Sequence, residues 1–198
     1  MENEIWCPLA EMKKEKLWYA IVVRDRHGKV VSRERRKSHS FLKAWNQLIY
    51  VQMSDEDLPM VDTGGVVRNV GYRGSNFRMD AVLGDATLGI RVGTGNTAVD
   101  ISDFALETAI AEGVGAGQME HLPCTVDDFI VAAPSCSFIG HRTIANNSGG
   151  LITVMEAAIY MKIDALWYAC GIRDVLVAPQ AVPNGGAITI DWTLGVTV

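Results

Sequence analysis

The chain has no long apolar run. Stretches such as Ala20-Ile21-Val22-Val23 and Val175-Leu176-Val177-Ala178 fall far short of the roughly 20 residues a membrane helix needs. Its start, Met1-Glu2-Asn3-Glu4, is acidic where an export leader carries Lys or Arg before an apolar stretch, so synthesis in a cytoplasm is expected. The four cysteines, Cys7, Cys124, Cys136 and Cys170, form no C-x-x-C pair and read as buried thiols rather than staples. No fixed-period repeat and no low-complexity tract is present. Aromatic residues make up only 8%, beside nineteen glycines, a balance that suits short strands joined by tight turns.

Catalytic signatures are equally scarce. Val92-Gly93-Thr94-Gly95-Asn96-Thr97 follows an expected strand and precedes an expected helix, as a phosphate-binding loop would. A P-loop, however, ends in Gly-Lys-Ser/Thr, and no Lys occurs between Lys43 and Lys162. The dinucleotide fingerprint fails too, because its third glycine would fall on Ala98. A glycine-permitted turn accounts for the stretch. Asp100, Asp103, Asp127 and Asp128 lack the spacing of a calcium loop, and no G-x-S-x-G frames a serine nucleophile.

What is present is β-strand pattern, clearest at the C-terminus. Ile188, Ile190, Trp192, Leu194, Val196 and Val198 share one parity; Thr189, Asp191, Thr193, Gly195 and Thr197 share the other. Alternation of this kind marks a strand with one buried and one wet face. Burying six such side chains gains roughly 9–18 kcal/mol. Fixing eleven backbones costs about 11–22 kcal/mol, so the strand needs a second layer of sheet. Two turn signals, Asn146-Asn147-Ser148-Gly149-Gly150 and Pro183-Asn184-Gly185-Gly186, separate apolar runs as hairpin loops would.

In chain order, Met1 to Lys16 shows no period and reads as an arm or short irregular segment. Leu17–Arg24, the turn Asp25-Arg26-His27-Gly28 and Lys29–Arg33 read as a hairpin. Ser40 is the expected N-cap of a helix with Phe41, Leu42, Trp45, Leu48 and Ile49 along one side. Ser54 to Pro59 reads as a linker. Between Val61 and Asp80 a strand or two is expected around a surface loop. Leu88–Val92 reads as a strand, and Asp100 to Asp103 as the cap of a second helix over Phe104–Glu112. Further strands are expected at Met119–Thr125, Asp128–Ala133, Cys136–Ala145, Leu151–Tyr160, Gly171–Ala178 and Ala187–Val198. The expected fold is mainly β: an antiparallel β-sandwich, Greek-key or jelly-roll-like, with one or two short helices. It divides into an N-terminal β-hairpin plus helix unit (residues 1–60) and a sandwich domain (61–198).

His121, Cys124, Cys136 and His141 put two His and two Cys within twenty-one residues, a donor set that could close a tetrahedral zinc site. On one strand Cys136 and His141 have opposite parity, so their side chains should diverge. Structural thiols and hydrogen-bonded imidazoles are the plainer reading, and no cofactor or metal is expected. Trp18, Tyr19, Phe41 and Trp45 are interleaved with basic residues, which admits nucleic-acid contact, yet their spacing is that of core positions. Trp167-Tyr168, read as exposed aromatics in a loop before Cys170, would suit a carbohydrate-binding sandwich of the adhesin kind.

Charge is unevenly placed. Residues 1–50 hold eleven Lys and Arg against six Asp and Glu; residues 51–198 hold seven against seventeen. A basic N-terminal piece on an acidic body is suited to meeting a copy of itself or an oppositely charged neighbour. Residues 1–53 are accordingly expected to steady an inter-subunit contact and to be removable without unfolding the sandwich.

Arg142-Thr143-Ile144-Ala145-Asn146-Asn147-Ser148-Gly149-Gly150 is followed by Ile152-Thr153-Val154-Met155-Glu156-Ala157-Ala158-Ile159-Tyr160. This resembles a pattern of tailed-bacteriophage virion structural proteins of the tail-fibre, collar and baseplate kind. In them a strand ends in an Asn/Ser/Gly turn and returns as I-T-V-x-E-x-G-L-Y. Ile172-Arg173-Asp174-Val175, the Asn184-Gly185-Gly186 turn and the terminal strand are similar as well. So is Val92-Gly93-Thr94-Gly95 before Asp103-Phe104-Ala105-Leu106-Glu107, which resembles a G-T-G … D-x-x-L run. The likeness covers residues 88–198, with Ala158 where the pattern has Gly. It implies a non-enzymatic component of a phage particle, located in the virion, forming homo-oligomers and docking to other virion proteins. It carries over no catalytic residue.

Overall fold

Strict alternation at the C-terminus becomes the central strand of the molecule. A computed structural model describes residues 15–38, 40–54 and 56–197. In it Ile188, Ile190 and Trp192 are fully buried, while Thr189, Asp191 and Thr193 face outward. The strand (β11, Gly186–Thr197) lies between β1 (Glu15–Arg24) and β8 (Ser135–Asn146). With β2 (Val30–Lys37), β6 (Glu120–Val126) and β7 (Ile130–Ala132) they form a six-stranded sheet, ordered β2-β1-β11-β8-β6 with β7 also on β8. A three-stranded sheet, β10 (Tyr168–Val182), β9 (Ile152–Lys162) and β5 (Gly89–Gly93), packs against it. All strand pairings are antiparallel. The fold is therefore mainly β and sandwich-like, as expected from the sequence.

The two turns expected as hairpin loops do something different. Asn146–Gly150 carries the chain from β8 in the large sheet to β9 in the small one, and Pro183–Gly185 returns it from β10 to β11. Residues 135–197 are thus one long antiparallel ribbon folded across the sandwich in a jelly-roll-like manner, with its tip at Ile163–Trp167. Asn146 fastens the fold line. Its Nδ2 donates to the carbonyls of Gly150 and Val182, and its own carbonyl accepts from the Gly185 N–H. Parity shows that a turn exists; it does not show which sheet receives the returning strand.

The main core fills the space between the sheets. Leu17, Tyr19, Ile21 and Val23 of β1 join the β11 side chains against Ile90, Val92, Val154, Ile159 and Ile172. The hairpin expected as a separate unit over residues 1–60 is instead two strands of the large sheet, with β1 in register against β11 over ten residues. Residues 1–14, read as an arm, lie outside the described residues; Glu15 and Lys16 already belong to β1.

One helix is present among the described residues, α1 (Lys43–Ser54). It starts later than expected, because Ser40 Oγ donates to Asp174 and caps nothing; Leu42, before the first turn, supplies the carbonyl that the Trp45 N–H reaches. Its buried side is Ala44, Leu48 and Val51, with Trp45 half-buried. The expected linker ends in β3 (Leu58–Val61), which forms a hairpin with β4 (Val67–Val70). Helix and hairpin cover the far end of the small sheet through Met161, Ile163 and Ala169, while Leu42 and Leu106 pack on Ala158 and Tyr160 of the other face, so β9 is buried on both faces and reads as a nearly continuous apolar run. Ala158 lies in mid-strand, fully buried against Leu42, Leu106 and Cys170, where no turn is required. No helix among the described residues is long and apolar enough to cross a membrane.

Because β1 covers a central strand, removing residues 1–53 should unfold the protein rather than release an intact sandwich. The truncated chain is expected to lose the cooperative urea transition and the β signature in circular dichroism. Retention of both would show that β1 is dispensable to the core.

Candidate functional site

The expected second helix over Phe104–Glu112 is absent, and the reason lies in one carboxylate. Glu156, on the outer face of β9, is fully buried and accepts four hydrogen bonds. Oε1 takes the N–H groups of Gly95 (3.1 Å) and Thr108 (2.9 Å); Oε2 takes the Glu107 N–H (3.1 Å) and Arg173 Nε (2.8 Å). Tyr160, four residues along the strand, accepts the Leu106 N–H at 2.8 Å. The Glu107 and Thr108 N–H groups, which a helix capped at Asp103 would have used internally, are taken by Glu156, so the segment stays irregular. Asp103, expected to cap the helix, instead accepts from Arg173 Nη1 at 2.6 Å, and Arg173 Nη2 reaches the Thr97 carbonyl. Glu107 closes the preceding turn by accepting from the Asn96 and Thr97 N–H groups. The glycine-rich stretch is thus a turn wrapped around an acid. A methyl group at Gly93 or Gly95 would land on Glu156 Oε1.

A second buried polar group lies where β5 meets β6. His121 Nδ1 pairs with Glu112 Oε2 at 2.7 Å, and Arg91 Nε donates to its Nε2 at 3.2 Å. Arginine can only donate, so Nε2 is the unprotonated nitrogen and Nδ1 carries the hydrogen. Burial, reinforced by the Arg91 charge, lowers the imidazole pKa from 6.5 to about 4. Nearby Arg142, fully buried, gives its protons to the carbonyls of Leu122, Leu88, Ile90 and Asp85, clasping the large sheet to the edge of the small one.

The four zinc-type candidates are not brought together. His121 is held between Glu112 and Arg91; Cys124 packs beside Gly89 in the core; His141 bonds Asp191 on the outer face; Cys136 faces the end of the sandwich. No group of three or more His, Cys, Asp or Glu able to hold a metal occurs among the described residues. Burial pushes the thiols of Cys124 and Cys170 up, away from the reactive thiolate. Trp167, expected as an exposed aromatic, is half-buried in the cluster under α1, and Arg68 lies over its ring at 4.9 Å. Of the aromatics interleaved with basic residues, Tyr19 is core and Arg35 lies over Trp18.

An apolar surface is left uncovered among the described residues. At the end of the sandwich Phe41, Trp45, Phe129, Phe138, Leu194 and Val196 line an open apolar groove of about 240 Å³. Beside it β7 stands at the sheet margin, with Phe129 62%, Ile130 56% and Val131 73% exposed. No strand among the described residues pairs with its outer side. Contiguous exposed apolar surface on an unpaired edge is the hallmark of an interaction site. Nothing in the sequence pattern marks this site except the short run Phe129-Ile130-Val131-Ala132, which parity alone would have placed in the core. Compared with protein-family models, with curated proteins and with solved structures, the chain matches none.

Removing one member of a buried ion pair costs about 3–5 kcal/mol, because its partner is left charged and unpaired. Glu156→Ala should lose stability on that scale in urea melts, and Glu156→Ala with Arg173→Met should regain part of it. A loss in Glu156→Ala below about 1 kcal/mol would show that the pair is incidental.

Neutral His121 also sets a pH dependence. Unfolded, the ring takes a proton near pH 6.5; folded, only near 4. Its contribution is therefore complete above about pH 6.5 and falls as pH drops toward 4, by up to about 1.4 kcal/mol per pH unit. His121→Gln should lose less stability than wild type between these values. Equal losses would remove His121 as the sensor.

Proposed function

We propose that the protein is a non-enzymatic structural component of a tailed-bacteriophage particle, in tail, neck or collar, baseplate or capsid surface. It works by self-association and by docking to other virion proteins. The observation that carries this reading is the unpaired apolar end of the sandwich, where β7 and the adjoining groove offer a strand edge and a pocket to a neighbour.

Two further features support it. The segments that resemble virion proteins, Gly93–Gly95, Asp103–Glu107, Glu156 and Ile172–Asp174, converge on the Glu156–Arg173 network, where each has a role in holding the fold. The side chains with catalytic chemistry, Glu156, His121 and Arg173, are occupied by that same work.

Light scattering should give a multimeric mass at micromolar protein, with rings or fibres in negative-stain images. Val131→Lys, on the exposed edge, should raise the concentration needed for assembly at least tenfold without lowering the melting temperature. A strict monomer at the highest attainable concentration would overturn the reading.

A further inference from the structure

The apolar groove at the end of the sandwich has a floor and a roof. Its floor is the inner face of the large sheet, where Leu194 and Val196 of β11 stand opposite Phe138 and Cys136 of β8. Its roof is Phe41 with Trp45 and Ile49 of α1. Trp45, Phe138 and Leu194 also line a second cavity of about 530 Å³, which reaches in to Phe77, Met79 and Ile159. A space of that size is in the range of clefts that bury a small organic group. Apolar walls uncovered among the described residues favour an apolar occupant.

The strand register shows which part of the chain enters beside the groove. Glu15, where β1 begins, stands opposite Val196, and Val196 stands opposite Cys136. Residues 1–14 therefore join the sheet at a row that forms the mouth of the groove. Neighbouring strands lie about 4.8 Å apart, so Cys136 is about 10 Å from Glu15 across the sheet. The chain from Cys7 to Glu15 can span about 28 Å when extended, enough to turn back and reach it. The residues of that stretch suit the walls. Ile5-Trp6-Cys7-Pro8-Leu9-Ala10 is an unbroken apolar run between Glu4 and Glu11. Pro8 disfavours a helix over this run and favours the extended chain that a groove accepts.

We propose that Ile5–Leu9 of the chain's own N-terminal segment docks in this groove, with Trp6 as its apolar anchor and Cys7 beside Cys136. Tethering makes a weak contact sufficient. A short flexible linker gives an effective concentration of order millimolar, so even a millimolar affinity keeps the groove filled about half the time. At micromolar protein a second copy supplies its segment at a concentration about a thousandfold lower, which favours the chain's own. The proposal does not rest on the assembly reading. Where that reading holds, a neighbour using the groove must first displace the segment, whereas the edge of β7 is not covered by it.

Cys7 and Cys136 make the placement measurable in the full chain, because Cys124 and Cys170 are buried away from a thiol reagent. A short bis-maleimide at micromolar protein should give a Cys7–Cys136 link within one chain, read by peptide mass mapping and gel mobility. Trp6→Asp places a charge where the groove is apolar and should slow that link at least tenfold, with the β signature in circular dichroism retained. Equal rates in the two proteins would show that the tether alone brings the thiols together, and the docking would be overturned. No link, or links only between chains, would overturn it as well, the latter by giving the groove to a second copy. Light scattering on untreated protein reads assembly separately, so either reading can fail while the other stands.

Discussion

One buried carboxylate organises the outer half of this molecule. An ionised group in the protein interior is costly unless every lone pair is met, and Glu156 meets its own with three backbone N–H groups and a guanidinium. The three N–H donors come from the segment Gly95 to Thr108, which has almost no regular structure. The acid thus substitutes for a secondary element: it holds Gly93–Thr108 against the small sheet, and Arg173 extends the grip to Asp103 and Thr97. With the loop in place the outer face of β9 is covered, and Leu106 packs on Ala158 and Cys170. Without it that face would be open to water.

Arginine performs a related task on the other side of the sandwich. Arg142 bonds four carbonyls and no carboxylate, joining the large sheet to loops and to β5, where strand pairing between the sheets is lacking. His121 beside it stays neutral because it is buried, with Arg91 donating to its second nitrogen. Polar groups that might suggest an active site in a residue count are each committed to closing the sandwich. Facing outward, among the described residues, are an apolar groove and an open strand edge. On these two surfaces the proposed role in a particle rests.

The alternation of Ile188 to Leu194 with Thr189 to Thr193 determined by itself that this segment is a half-buried strand, because side chains on a pleated strand have a period of two. The β1–β2 hairpin, the existence of α1 and most strand positions follow from equally local rules of pattern and turn. The ribbon's fold line does not. Whether Asn146–Gly150 returns to the same sheet or crosses to the other depends on which layer has an open edge, a property of the whole sandwich. Phe104–Glu112 has helical spacing, yet its N–H groups found stronger partners in Glu156 and Tyr160, some fifty residues away in sequence. Likewise β1 became core because β11 lay beside it, and Phe129–Val131 became surface because no strand did. Local periodicity determines which way a side chain points; only the assembled layers decide what it meets there.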